Sequence, residues 1–321
     1  MTNVTLTGLD GSNPLAFLAA LGTLRALRDD ARRKSLPTPR LSWNDDGAWR
    51  PLIHASHTME GILDTLVEQT TSWGDEPALA LAYEKGGARV DHESPGATRD
   101  LKPPPSVMRT FLDEMAGRSA SLRDRRSADT VAALATDLAV DNKGNTKPTA
   151  LHFTAGQQSF LEMIARLQSG VTRDDLTEAL RGPWRGTSQL PSLSWNSTVD
   201  RSHALRASDP SKEKRGSVAG ADWLAFLGLS FYPVALVGRT IKTPGFDGGW
   251  KDATFTWPLW ICPADTGTIR SILSTHRLPA LTPRDRDGRG FGVVFTSRVL
   301  RSDQGGYGSF APARIARGGD S

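Results

Sequence analysis

Residues 192–211 read Ser-Leu-Ser-Trp-Asn-Ser-Thr-Val-Asp-Arg-Ser-His-Ala-Leu-Arg-Ala-Ser-Asp-Pro-Ser and gather the side chains best suited to hold an anion. Arg201 and Arg206 carry planar guanidinium forks that bind phosphate or a guanine edge bidentately, unless Asp200 or Asp209 takes them as ion-pair partners. His203, between them, is either a hydrogen-bond donor to phosphate or a packing residue. Trp195 is either an aromatic contact or the anchor that holds the segment. The stretch is too polar for a core strand, so the chemistry it implies is recognition by a loop that another element braces.

Two further groups offer related chemistry. Arg118, Arg123, Arg125 and Arg126 face only Asp124 in a serine-rich segment, which reads as an exposed loop that contacts phosphate or as a solvated hinge. Late in the chain, Asp287-Gly-Arg-Gly-Phe-Gly292 and Gly305-Gly-Tyr-Gly-Ser-Phe310 interleave glycine with aromatics beside Arg284, Arg286, Arg289, Arg298 and Arg301. Glycines admit a phosphate backbone closely, and Phe291 and Tyr307 offer stacking faces to unpaired bases. The same patches also fit a pair of tight turns around a strand.

Catalytic chemistry has less to stand on. His54 and His57 are three residues apart, a spacing that would share one side of a helix, but no third ligand of metal-site spacing accompanies them. Asp91-His92-Glu93 points adjacent side chains in different directions. The phosphate-loop, zinc-protease and nucleophile-elbow motifs do not occur. We therefore expect no catalytic residues, no metal and no cofactor.

The elements that must position the polar segment are legible. Ala219, Trp223, Leu224, Phe226, Leu227 and Leu229 recur at helical spacing, so Gly220-Ala221-Asp222 opens a buried helix directly behind it. At the other end of the chain Asn13 suits an N-cap, Pro14 the first helical position, and Leu15, Leu18, Leu21 and Leu24 form an apolar stripe. Gly22 costs this helix about 1 kcal/mol relative to alanine, a cost explained if another backbone packs closely there.

The two stretches together resemble the subunits that stand in for the Cascade large subunit in type I-G (formerly type I-U) CRISPR surveillance complexes. The resemblance rests on Gly8, Gly11, Asn13, Pro14, Leu15, Phe17, Leu18, Leu21 and Gly22, and downstream on Leu193, Trp195, Asn196, Asp200, Arg201, Ala204, Leu205, Arg206 and Asp209-Pro210-Ser211, then Gly220-Ala221-Asp222, Leu224 and Ala225. It implies a noncatalytic subunit that helps recognise the protospacer-adjacent motif and open duplex DNA in antiviral defence. The implied partners are CRISPR RNA, target double-stranded DNA, the Cascade backbone subunits and a recruited helicase-nuclease. A separate small subunit would supply the long C-terminal helical bundle that this chain lacks. The runner-up class is a guide-RNA processing endoribonuclease, with His203 or another histidine as an acid-base group, or a guide-RNA-binding backbone subunit; a third is an unrelated soluble scaffold.

Composition agrees with a nucleic-acid partner without requiring one. The net charge is only +4, yet between Leu41 and Pro95 ten acids face three bases, whereas from Arg270 onward nine arginines face four aspartates. No run approaches a membrane span and the first apolar run lacks the flanks of a signal peptide, so a cytoplasmic protein is expected. Cys262, the single cysteine, excludes an intrachain disulfide and reads as a small buried hydrophobe beside Trp260 and Ile261.

Along the rest of the chain, helices are expected around Met59–Val67, from Ser106, over Ser127–Val140, Gln157–Leu167 and Arg173–Leu180, with a helix at Thr268–Leu273 crossing between late strands. Strands are expected at Leu41–Trp43, Thr149–Phe153, Val234–Ile241, Thr254–Ile261 and Gly292–Leu300. The fold class is α+β, with a helix-rich N-terminal half and a small mixed or antiparallel sheet in the C-terminal half. The chain divides at 1–145 and 146–321, or forms one domain.

Overall fold

The computed structural model describes residues 2–84, 87–122, 124–154, 158–197, 217–249, 251–275, 278–301 and 307–316. It is α+β, and its elements follow in chain order. They are β1 (Thr2–Thr5), α1 (Pro14–Arg33), β2 (Arg40–Asp45), β3 (Trp49–Ala55), α2 (Met59–Thr71), α3 (Pro105–Leu122), α4 (Arg126–Leu134), β4 (Ala135–Val140) and β5 (Thr146–Pro148). The second part holds α5 (Phe160–Gly170), α6 (Arg173–Arg181), α7 (Ala219–Gly228), β6 (Ala235–Val237), β7 (Thr240–Lys242), β8 (Phe246–Asp247), β9 (Thr254–Trp260), α8 (Thr266–Leu273), α9 (Pro283–Gly288), β10 (Phe291–Arg301), β11 (Gly308–Phe310) and β12 (Arg314–Ile315).

Helix α1 organises the whole. Asn13 caps it by accepting a hydrogen bond from Leu15 N at 3.0 Å, and Pro14 fills the position where a missing N–H costs nothing. Sixteen of its twenty residues are buried, so it is an all-round core helix rather than an amphipathic one. On one side it crosses α7 with backbone against backbone. A side-chain carbon placed on Gly22 would lie 1.7 Å from Leu224 O, and one on Gly228 would lie 2.2 Å from Leu18 O. On another side Phe17 packs on Trp43, Trp257 and Trp260, with ring centroids 5.7, 6.0 and 6.3 Å away.

All the sheets are antiparallel. The N-terminal one has the order β1-β3-β2, and the largest runs β11-β10-β9-β8 with β12 also on β10. They are joined by reciprocal Leu41 and Ala264 backbone bonds, and Trp260 Nε1 donates to Leu41 O. Halves divided at residue 145 therefore share one apolar core, and that boundary falls between β4 and β5, which pair with each other. Among the described residues, no helix is long and apolar enough to cross a membrane.

Several expectations are corrected. Ser127–Val140 is a helix only to Leu134; from Ala135 the chain pairs with β5 and leaves Leu138 and Val140 exposed, so their apolarity marks no helical face. Thr149–Phe153 is not a strand, because a Thr149 to His152 turn ends the pairing at Pro148. Val234–Ile241 is a two-stranded hairpin. His54 lies on a strand, bonded to Ser42 Oγ and Asn3 Oδ1, and shares no helix face with His57. Cys262 is exposed, since β9 ends at Trp260.

Candidate nucleic-acid interface

The two widely separated stretches meet in space. Gly8 lies on the C-terminal end of α6: its N–H donates to Leu180 O at 2.8 Å, and a side-chain carbon there would sit 2.5 Å from both Ala179 O and Gly182 N. Gly11 is equally confined, with Trp43 and Leu259 against it and its carbonyl accepting from Trp257 Nε1 at 2.8 Å. These contacts fix the turn that delivers Asn13. The Asn13 side chain then works in two directions: its oxygen caps α1, and its Nδ2 donates to Asn196 Oδ1 at 2.8 Å.

Asn196 is held just as firmly. Leu193 N donates to Asp222 Oδ1 at 2.9 Å, and Trp195 Nε1 donates to Leu151 O at 3.0 Å from a fully buried indole. Asp222 lies in α7 with no solvent exposure, its second oxygen without a hydrogen-bond partner among the described residues, and burial pushes its carboxyl up to about 7. A charged or half-charged carboxylate in an apolar helix is costly unless it organises neighbouring backbone, and here it organises the approach to Asn196.

Around this junction opens a cleft of about 880 Å³, lined among others by Ser12, Asn13, Arg50, Arg181, Trp184 and Ser197. Arg50 donates to Leu9 O at 3.0 Å and Arg181 pairs with Glu60, so both cations are positioned before any ligand arrives. Among the described lining residues Asp10 is the one carboxylate, and it accepts from Ser12 N at 3.0 Å. The arrangement suits a polar, anion-bearing partner held by amide, hydroxyl and guanidinium groups.

The residues singled out in the sequence fall into three groups. Arg123, Arg201, His203 and Arg206 lie outside the described residues, although Ser197, the last described residue before that segment, lines the cleft. A second group is structural. Trp195 is an anchor and cannot stack on a base, because its indole is enclosed. Arg126 donates to Ser72 O, Ser72 Oγ and Gln69 Oε1 and lies over the Trp73 ring, so it ties α4 to α2. Arg286 donates to Ala316 O at 2.7 Å and ties the residue that follows β12 to α9. Arg125, though largely exposed, pairs with Asp129, on which the buried Arg25 and the half-buried Arg270 also converge. Burial alone would raise the Asp129 pKa, but Arg270 and Arg25 outweigh it and hold the carboxyl below its ordinary range. The third group, Arg284, Arg289 and Tyr307, is exposed, while Arg301 is half-buried over the Phe153 ring at 5.3 Å.

Sequence reasoning overlooked Arg50, Arg181 and the role of Asp222; only the last carried a signal, an acid inside an otherwise apolar helix. It also overlooked His152, whose Nε2 lies 2.7 Å from Asp100 Oδ1 and 2.8 Å from Thr154 Oγ1. Both partners share one ring nitrogen, so this trio is not wired as a hydroxyl-histidine-carboxylate relay, in which each would use its own nitrogen. Among the described residues no group of three or more His, Cys, Asp and Glu side chains could hold a metal ion.

Compared with known protein families, curated proteins and solved structures, the chain matches none.

Proposed function

We propose that this chain is a noncatalytic nucleic-acid-binding subunit of a type I-G CRISPR RNA-guided surveillance complex, acting as its large-subunit-like component. In this reading it touches the duplex at the protospacer-adjacent motif and assists its opening, while guide RNA pairing reads the rest of the target, as in another CRISPR effector. Its partners are CRISPR RNA, target double-stranded DNA, the Cascade backbone subunits, a separate small subunit and the recruited helicase-nuclease, and its setting is the cytoplasm.

One observation supports the reading above the others. The stretches that carry the resemblance are separated by most of the chain, yet Asn13 and Asn196 bond directly, and Gly8, Gly22 and Gly220 sit where backbones touch. The two stretches thus meet at one junction beside the cleft, through the Asn13–Asn196 bond and the Gly22–Leu224 approach. The exposed Arg284 and Arg289 add phosphate-binding charge on the basic C-terminal part.

Within this reading Arg201 and Arg206 engage DNA and Trp195 supports them. Arg201→Ala and Arg206→Ala are expected to leave a complex that assembles on guide RNA but binds duplex target at least about tenfold more weakly, the loss expected for a bidentate arginine contact. Gel-shift titration of the assembled complexes measures it. Normal duplex binding by both variants, or failure of both to assemble, would show that the segment is structural. Cleavage of labelled RNA by the pure chain, lost on His203→Ala, would replace the reading with the endoribonuclease.

A further inference from the structure

A second, separate cavity of about 460 Å³ lies where the β4–β5 turn, the end of β7, β8 and the end of β10 come together. Its volume falls in the range of small-molecule sites, about 300–1,000 Å³. Its walls divide by chemistry. Pro148, Ile241, Phe246 and Ala253 give it an apolar side. Lys102, Lys147, Lys242 and Arg301 give it four cations, against the carboxylates of Asp141 and Asp247. Asp141 is already engaged, because its Oδ1 accepts from Lys143 N and Asn145 N to close the β4–β5 turn.

The cavity is preformed. Thr243 Oγ1 accepts from Ala150 N at 2.9 Å and lies 3.2 Å from Thr149 Oγ1, which fixes the β5 and β7 walls relative to each other. Arg301 is oriented by the Phe153 ring, itself packed edge-on to Phe310. Burial pushes the Arg301 guanidinium down to about 10, so its charged form gains when negative charge arrives.

The geometry points to a binding site for one nucleoside monophosphate unit, with the base against the Pro148, Ile241 and Phe246 wall and the phosphate among Lys147, Lys242 and Arg301. An apolar wall alone would take any flat ring, and the cations alone any anion; their meeting in one cavity selects a ligand that has both parts. The unit is either a free nucleotide or one residue of an unpaired strand. The inference stands on the cavity itself, whether or not the chain joins a guide-RNA complex.

Calorimetric titration of the full chain with adenosine 5′-monophosphate, adenosine, inorganic phosphate and a 5′-phosphorylated thymidine pentanucleotide tests it. The monophosphate should bind at least about tenfold more tightly than adenosine or phosphate alone, since each supplies one half of the contacts. Lys147→Glu with Lys242→Glu should weaken it by a further factor of about ten, as should Ile241→Trp, which fills the apolar side. Lys242 is exposed and Lys147 half-buried, and an unchanged melting temperature certifies the charge-reversed protein. Competition between pentanucleotide and monophosphate assigns the site to a strand; failure of the pentanucleotide to compete assigns it to the free nucleotide. No monophosphate binding, binding indifferent to the charge reversal, or inorganic phosphate binding equally well would overturn the inference.

Discussion

Gly22→Ala is expected to destabilise the protein by about 3 kcal/mol or more, at the upper end of what overpacking costs, although alanine is the better helix former. In an isolated helix the change would gain about 0.5–1 kcal/mol. Here the added methyl would lie 1.7 Å from Leu224 O, 2.7 Å from Leu224 C and 2.9 Å from Gly228 N. These are backbone atoms of a buried helix, which cannot swing aside as a flexible side chain would. Helices α1 and α7 would have to part, and α1 also carries the Phe17 contact to the tryptophan cluster and the Asn13 cap at the cleft. Gly117→Ala is the control. It lies in α3 with nothing within 4 Å of the added carbon, so it should raise stability slightly. Urea unfolding of both variants checks the pair; equal stability of Gly22→Ala and the parent protein would show that the two backbones do not approach this closely.

Asp222→Asn is expected to become progressively more stable, relative to the parent, as pH rises from about 4 to about 7. The sign follows from proton uptake. In the unfolded chain an aspartate titrates near 3.9, whereas burial holds Asp222 at about 7 in the fold. Between those values the native state binds more protons, so the parent loses stability as pH rises, and the loss is complete above the folded value. At about 1.4 kcal/mol per pH unit the ceiling is about 4 kcal/mol. Asparagine keeps an oxygen for Leu193 N and removes the titration; its amide adds a constant cost that does not change with pH. Asp100 and Asp129, both held below the ordinary range, act in the opposite sense by losing stability on acidification, but they cancel in the difference between variants. Denaturant titrations at half-unit steps across this window provide the test, and parallel stability curves would mean that Asp222 is not held by burial.

The parts of this fold that can be read from sequence are those in which one residue type has one physical reason. Asn13-Pro14 before an apolar stripe caps and starts α1, and the Gly22 cost is explained by the close approach that α7 supplies. Thr172 and Asp175 form the capping box that opens α6, and the β-branched and aromatic runs of β9 and β10 pair as strands. Arginines are different, because the same side chain serves as a surface cation or as an internal strut depending on what folds beside it. Arg126 and Arg286 are struts, while Arg284 and Arg289 stay exposed, and nothing local separates them. The same holds for β4, where local helix preference yields to pairing with β5. The Asn13–Asn196 bond spans the chain and became visible only when both ends were placed, although each residue already belonged to the stretches that carry the resemblance.

If this chain works inside a guide-RNA complex, as proposed above, it should carry guide RNA with it. Co-expressing it with its genomic neighbours, purifying through a tag on this chain alone, and sequencing the bound RNA measures this. The expected product is a stable ribonucleoprotein whose RNA consists of guide sequences flanked by CRISPR repeat, stoichiometric with the chain and retained through size-exclusion at moderate salt. A chain that elutes alone and free of RNA, with every neighbouring subunit expressed and soluble, would rule the proposal out.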